Sequence, residues 1–188
     1  MTVLEVIKAA AENLQLKQVL ERTEFGGSGE DGKQELETLI RALNMIVQDI
    51  AYAYLSLIEV EKLAAVNGEI EYASFSKPVI EVIKVSAADG STLKFKSNTY
   101  GLSLVSGAAD VTVKYAYAPE VLTELNDIVP NFGGKLSLDA ISYGISAEFM
   151  FMNGILDDAR MWEERFKQNL FNARKLRREV SLPKRRWT

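Results

Sequence analysis

Apolar residues recur along this chain first at a helical period, then at a period of two, then at a helical period again. Val3, Ile7, Ala10 and Leu14 lie on one helical face. The spacing of Thr2 and Glu5 is that of a capping box, with the hydroxyl meeting the amide of Glu5 and the carboxylate reaching back. This helix is expected to run on, bent or broken, through Val19 and Leu20. A longer one follows from Gln34 to about Leu57, with Leu36, Leu39, Leu43, Ile46, Ile50 and Tyr54 in one stripe. At 1.5 Å per residue it would span roughly 36 Å. Tyr52 and Tyr54 are expected at the rim of the core.

Around Ile58 the period changes. Ile58, Val60 and Leu63 open a β-rich stretch, with Asn67-Gly68 and Asp89-Gly90 as turn signals. Val79–Val85, Leu93–Lys96 and Leu102–Val105 read as strands. In Val111–Tyr117, Val111, Val113, Tyr115 and Tyr117 alternate with Thr112, Lys114 and Ala116. Pro119 stops the pattern, and a helical turn is expected over Glu120–Leu125. Helix then resumes behind Ser137, a suitable N-cap. Ile141, Ile145, Phe149 and Met152 share a side, and Gly144 is small enough for another helix to approach. Asn153-Gly154 ends this arm, and residues 155–178 form a second one, striped by Ala159, Trp162, Phe166, Leu170, Ala173 and Leu176. Trp162 and Phe166 are expected to face Ile145 and Phe149 across the hairpin. Pro183 cannot continue a helix. The fold class predicted is α+β: a discontinuous long-helix bundle (1–57 and 119–180), a small inserted antiparallel β-sheet (58–118) and an extended C-terminal tail (181–188).

Composition narrows the chemistry. The chain of 188 residues has neither Cys nor His, which removes disulfides, thiolate nucleophiles and the commonest general base and transition-metal ligand. Asp157-Asp158 and Glu163-Glu164 are adjacent pairs, about 100° apart on a helix, and do not converge on one atom. Asp157 with Arg160, and Glu163 with Lys167, have the spacing of surface ion pairs. Gly27, Gly32 and Lys33 match part of a phosphate-binding loop. Gln34 stands where the Mg²⁺-binding hydroxyl belongs, however, and Glu30 and Asp31 would repel phosphate. No catalytic residue, cofactor or metal is expected, and the protein is not expected to be an enzyme. Neither a signal peptide nor a membrane-spanning segment is expected.

Charge is segregated. Residues 174–188 hold Arg174, Lys175, Arg177, Arg178, Lys184, Arg185 and Arg186 against Glu179, while the rest of the chain carries 15 basic and 25 acidic groups. A basic tail on an acidic body suggests a partner-docking element, with Trp187 as an anchor. Phosphate binding with Trp187 stacking, and a solvated terminus, are the other readings.

The order of elements, together with 109–119 (ADVTVKYAYAP), 122–127 (LTELND), 140–149 (AISYGISAEF) and 159–166 (ARMWEERF), resembles the head-to-tail connector (adaptor) proteins of tailed bacteriophages. These include the tail tubular A proteins of short-tailed phages. The family pattern is a V-x-Y-x-x-x-P strand, an acidic turn, a small-residue helix and an A-x-x-W-x-x-x-(F/Y) helix. The resemblance covers about residues 35–178. It implies a structural virion protein made in the host bacterial cytoplasm and placed at the head–tail junction. Such a protein forms a homo-oligomeric ring, usually of twelve subunits, contacts the portal protein and the next tail component, and extends the DNA channel without binding DNA specifically. A nucleic-acid-binding protein using the basic tail, or another ring or tail-completion protein of the virion, is the alternative.

Overall fold

The computed structural model describes residues 1–25, 32–105 and 110–175. It divides into two compact units, one of residues 1–47 with the described residues from 121 on, the other of residues 48–120. Helices and small antiparallel sheets are both present, and no helix among the described residues is long and apolar enough to cross a membrane.

The first unit holds α1 (Val3–Asn13), α2 (Lys17–Phe25), α3 (Lys33–Asp49), α4 (Leu138–Met152) and α5 (Leu156–Lys175). The capping box forms as its residues require: Glu5 N–H donates to Thr2 Oγ1 (3.3 Å) and Thr2 N–H to Glu5 Oε2 (2.8 Å). Two more N–H groups at the helix start, those of Val3 and Leu4, donate to the carbonyls of Asp127 and Leu125, both at 2.9 Å. The helix breaks where Gln15 takes a left-handed φ of 56°, and α2 starts afresh. α3 ends earlier than expected. Its last turn widens into a π-helical segment, Ile50–Tyr54, closed by Leu55 N–H on the Ile50 carbonyl, and Leu57 is already strand. Tyr54 is half-buried and Tyr52 exposed.

The helical turn expected over Glu120–Leu125 does not form, because side chains take the backbone groups it would have used. The Asn44 amide accepts from Leu122 N–H and donates to the Leu122 carbonyl, each at 2.8 Å. Asp127 accepts from the N–H groups of Thr123 and Glu124 at 2.8 and 2.9 Å. These bonds, that from Glu124 first, hold the Asp127 carboxyl below the usual carboxylate range.

α4 is buried on most of its surface: Ala140, Ile141, Ser142, Gly144, Ile145, Ser146, Ala147 and Phe149 are inside. Its buried hydroxyls are satisfied, Ser146 donating to the Ser142 carbonyl and Ser142 to that of Asp139 while accepting from Asn13. Ser137 caps the start, accepting from Ala140 N–H at 3.1 Å. At the end Gly154 has φ +75°, its N–H donates to the Phe151 carbonyl, and Ile155 N–H donates to that of Met150. This is a Schellman closure, as Asn153-Gly154 predicts. α5 then buries Ala159, Phe166, Leu170 and Ala173.

The second unit contains β1 (Leu57–Ala64), β2 (Glu69–Glu71), β3 (Val79–Ala87), β4 (Thr92–Leu93), β5 (Phe95–Ser97), β6 (Gly101–Leu104) and β7 (Asp110–Tyr117). They make two antiparallel sheets instead of the single one expected, in the orders β1-β7-β3-β4 and β2-β6-β5. The expected strand Leu93–Lys96 is divided between them. Asn67 and Gly68, at φ 55° and 79°, form the two-residue hairpin turn their identities demand. The core gathers Ile70, Phe75, Val85, Leu102, Val111, Val113 and Tyr115, with the Phe75 ring edge-on to Tyr115 at 4.8 Å.

Candidate docking surfaces

Of the predicted docking residues, Arg174 is exposed near the end of α5 and Lys175 closes that helix. Arg177, Arg178, Lys184, Arg185, Arg186 and Trp187 lie outside the described residues, as does the loop 26–31. The segment ahead of that loop is helix α2, whereas a phosphate-binding loop follows a strand. A Cβ on Gly32 would lie 2.9 Å from the Gln18 backbone, which accounts for this glycine by packing.

Trp162 is not the core residue its stripe predicts. It is half-buried at the surface of the α4–α5 hairpin and stacks on Tyr143, with centroids 5.5 Å apart and planes 28° apart. Arg165, exposed, lies over the indole at 4.8 Å and over the Tyr143 ring at 5.9 Å. Phe166 fills the interior beside Gly144 instead. The tip of the same hairpin leaves Met152, Ile155 and Leu156 exposed. Trp, Tyr and Arg are the residues that most often carry binding energy at protein interfaces. The predicted Glu163–Lys167 pair is present at 2.6 Å, with side chains substantially in solvent, and contributes little to stability.

In the β-unit β1 alternates residue by residue, and the apolar Ile58, Val60 and Leu63 that open the stretch do not share a face. Leu57, Glu59, Glu61 and Leu63 turn inward, while Ile58 and Val60 are exposed. The two carboxylates are tolerated inward because donors meet them. Lys77 Nζ donates to Glu59 Oε2 at 2.9 Å and stands 4.2 Å from the Tyr117 ring centre. Glu61 accepts from Ser76 through its amide (3.2 Å) and its hydroxyl, and from the Tyr115 hydroxyl. Burial alone would raise the Glu61 pKa, but the bonds from Ser76 and Tyr115 outweigh it and hold the carboxyl below its ordinary value. The Lys77 bond likewise lowers Glu59, and Glu59 raises Lys77. Burial and then the hydrogen bond to Glu61 raise the Tyr115 phenol. Each carboxylate is thus committed to neighbours that fasten Ser76 and Lys77 to β1. Alternation read from Leu57 instead of Ile58 would have found this pair.

Among the described residues no three acidic side chains gather in the manner of a cation site. No family model and no curated protein matches this chain.

Proposed function

We propose that this chain is a structural subunit of a tailed-phage virion. It assembles into a ring that adapts the portal of the head to the tail and extends the DNA channel. One observation carries the reading: a β-rich unit is inserted between α3 and the α4–α5 hairpin, in the order that accompanies the connector-like segments 109–119, 140–149 and 159–166. In this reading the helices form a long-helix bundle, the tail is extended, and the protein has no enzymatic role. The small residues of α4 support a rigid hairpin, since they let its neighbours approach closely. The Tyr143–Trp162–Arg165 stack and the apolar tip at Met152, Ile155 and Leu156 supply surfaces of the type that meet a neighbouring subunit. Arg174, Lys175, Arg177, Arg178, Lys184, Arg185, Arg186 and Trp187 dock onto the portal or an adjacent copy. Fixing any chain segment on a partner costs conformational entropy, which several charge-assisted bonds and an aromatic anchor would offset.

Native mass measurement and electron microscopy of the full chain, alone and with portal particles, test the proposal. A closed ring seated on the portal is the expected result, and deletion of residues 181–188 should leave a folded chain that no longer joins it. A chain that stays monomeric with portals present overturns the adaptor reading. Wild-type incorporation of the truncated chain overturns the docking role of the tail alone.

A further inference from the structure

Residues 48–120 hold nine carboxylates against six lysines and no arginine, yet the strand register concentrates the lysines. Lys84 of β3 is paired directly with Lys114 of β7, and the next pair along, Val85 with Val113, is buried. Both lysines therefore stand on the opposite, outward face, and both are exposed. Lys114 is also paired with Val60 of β1, and Lys62 lies two residues further along β1 on the same exposed face. On the other side Leu93 of β4 pairs with Val85, where the pairing with β3 ends, and Lys94, also exposed, is the residue that follows. Strands lie about 4.8 Å apart, so Lys114 and Lys84 form a short basic row across β7 and β3, with Lys62 diagonal to it on β1 and Lys94 just past the end of β4. Glu81, opposite Ala116, and Asp110, opposite Ala64, stand beyond the row at either end.

Like charges facing each other across a strand pair are unfavourable. None of these four lysines has an ion-pair partner among the described residues. The β-unit does pair a lysine where structure calls for it, as Lys77 with Glu59. The geometry points to a binding face for the phosphate backbone of a nucleic acid, engaged without regard to base sequence. A protein partner fits less well, because lysine is depleted at protein interfaces while arginine and aromatics are enriched. Lysine instead acts as a mobile point charge on a flexible stem, which suits phosphates whose positions vary. No base-reading group is needed: phosphate contacts alone give weak binding that lets the ligand slide. The inference stands on the register of β1, β7 and β3 and does not depend on the virion proposal.

Binding of the full chain to a labelled 30-base-pair duplex of mixed sequence, titrated with salt, tests it. The basic residues 174–188 contribute equally to every variant compared, so the difference between variants isolates the row. Four phosphate contacts should add about 3.6 to the slope of log affinity against log salt. K62Q/K84Q/K94Q/K114Q should lose that increment. Between 50 and 200 mM salt the wild type should therefore weaken about a hundredfold more than the variant. The corresponding Lys→Arg variant should keep wild-type affinity and slope, and K84Q alone should leave the melting temperature unchanged or raise it by relieving Lys114. Equal affinity and slope for wild type and the Gln variant overturn the inference. So does a row that captures soluble polyglutamate more tightly than the duplex, which would make it a docking face for an acidic protein.

Discussion

Gly144→Ala probes the packing of α3, α4 and α5 with a single methyl group. A Cβ at this position would lie 3.0 Å from Ile46 Cγ2 and 3.1 Å from both Cδ2 and Cε2 of Phe166. Carbon atoms in good contact are about 3.5–4.0 Å apart, so all three distances are too short by several tenths of an ångström. Neither neighbour has room to swing away, with Ile46 at 5% and Phe166 at 6% exposure. Overpacking a core costs about 1–3 kcal/mol, and three simultaneous close approaches to buried groups put this case in the upper half of that range. Against it, alanine is the better helix former by about 1 kcal/mol. The net expectation is a loss of about 1–2 kcal/mol.

Urea unfolding followed by Trp162 fluorescence in a Trp187→Phe background measures this, since Trp162 stacks on Tyr143, the residue before Gly144. A Phe166→Leu background supplies the control. With the ring gone only the approach to Ile46 remains, and the methyl should cost at least about 1 kcal/mol less than in the wild type, a coupling of the size expected for side chains in contact. If Gly144→Ala stabilises the wild type by about 1 kcal/mol, the glycine does not set the approach of these helices and the packing argument fails.

Two further perturbations follow from the hydrogen bonds. Asn44→Ala unpairs the Leu122 N–H and carbonyl and should cost about 1–3 kcal/mol, with faster amide exchange at Leu122; unchanged exchange there would dismiss Asn44 as the pin of this segment. Glu59 and Glu61 are held below the ordinary carboxylate value, so the stability they add is present above about pH 4.3 and lost as pH falls through their folded values. Glu61→Gln should therefore flatten the acid side of a plot of urea midpoint against pH, and an acid limb as steep as the wild type's would refute the role given to Glu61.

What was legible in the sequence was chemistry that closes on itself within a few residues. The Thr2–Glu5 box, the Ser137 cap, the Asn67-Gly68 turn and the Asn153-Gly154 stop each need only their neighbours to form. What was not legible depends on partners far away in the chain. Glu120–Leu125 has a helical pattern, but Asn44, 78 positions from Leu122, competes for its backbone. Gly101 gives no sign in the sequence that a Cβ there would fall 2.1 Å from the Ile70 carbonyl oxygen, where β6 meets β2. Trp162 lies at the right spacing for the buried stripe, yet Phe166 and Gly144 already fill the interior, and Tyr143 offers the indole a face to stack on.

The same contrast governs the surfaces proposed for binding. A contiguous run such as Lys184–Arg186 is visible to any count of charges, whereas Lys62, Lys84, Lys94 and Lys114 are separated in sequence by acidic residues and by whole strands. Only the register brings Lys62, Lys84 and Lys114 together, and a slip of one residue would send each to the other face. The phase of β1 shows what fixes that register. Ile58 and Val60 would be inward if hydrophobicity alone decided, but the slipped phase would pull Glu59 from Lys77 and Glu61 from Ser76 and Tyr115. It would also turn Leu57, now 6% exposed, out to solvent. The inward carboxylates and the outward lysines are therefore two consequences of one pairing. A substitution that frees Glu61 from its donors should loosen the register as well as the loop, and with it the alignment of the basic row.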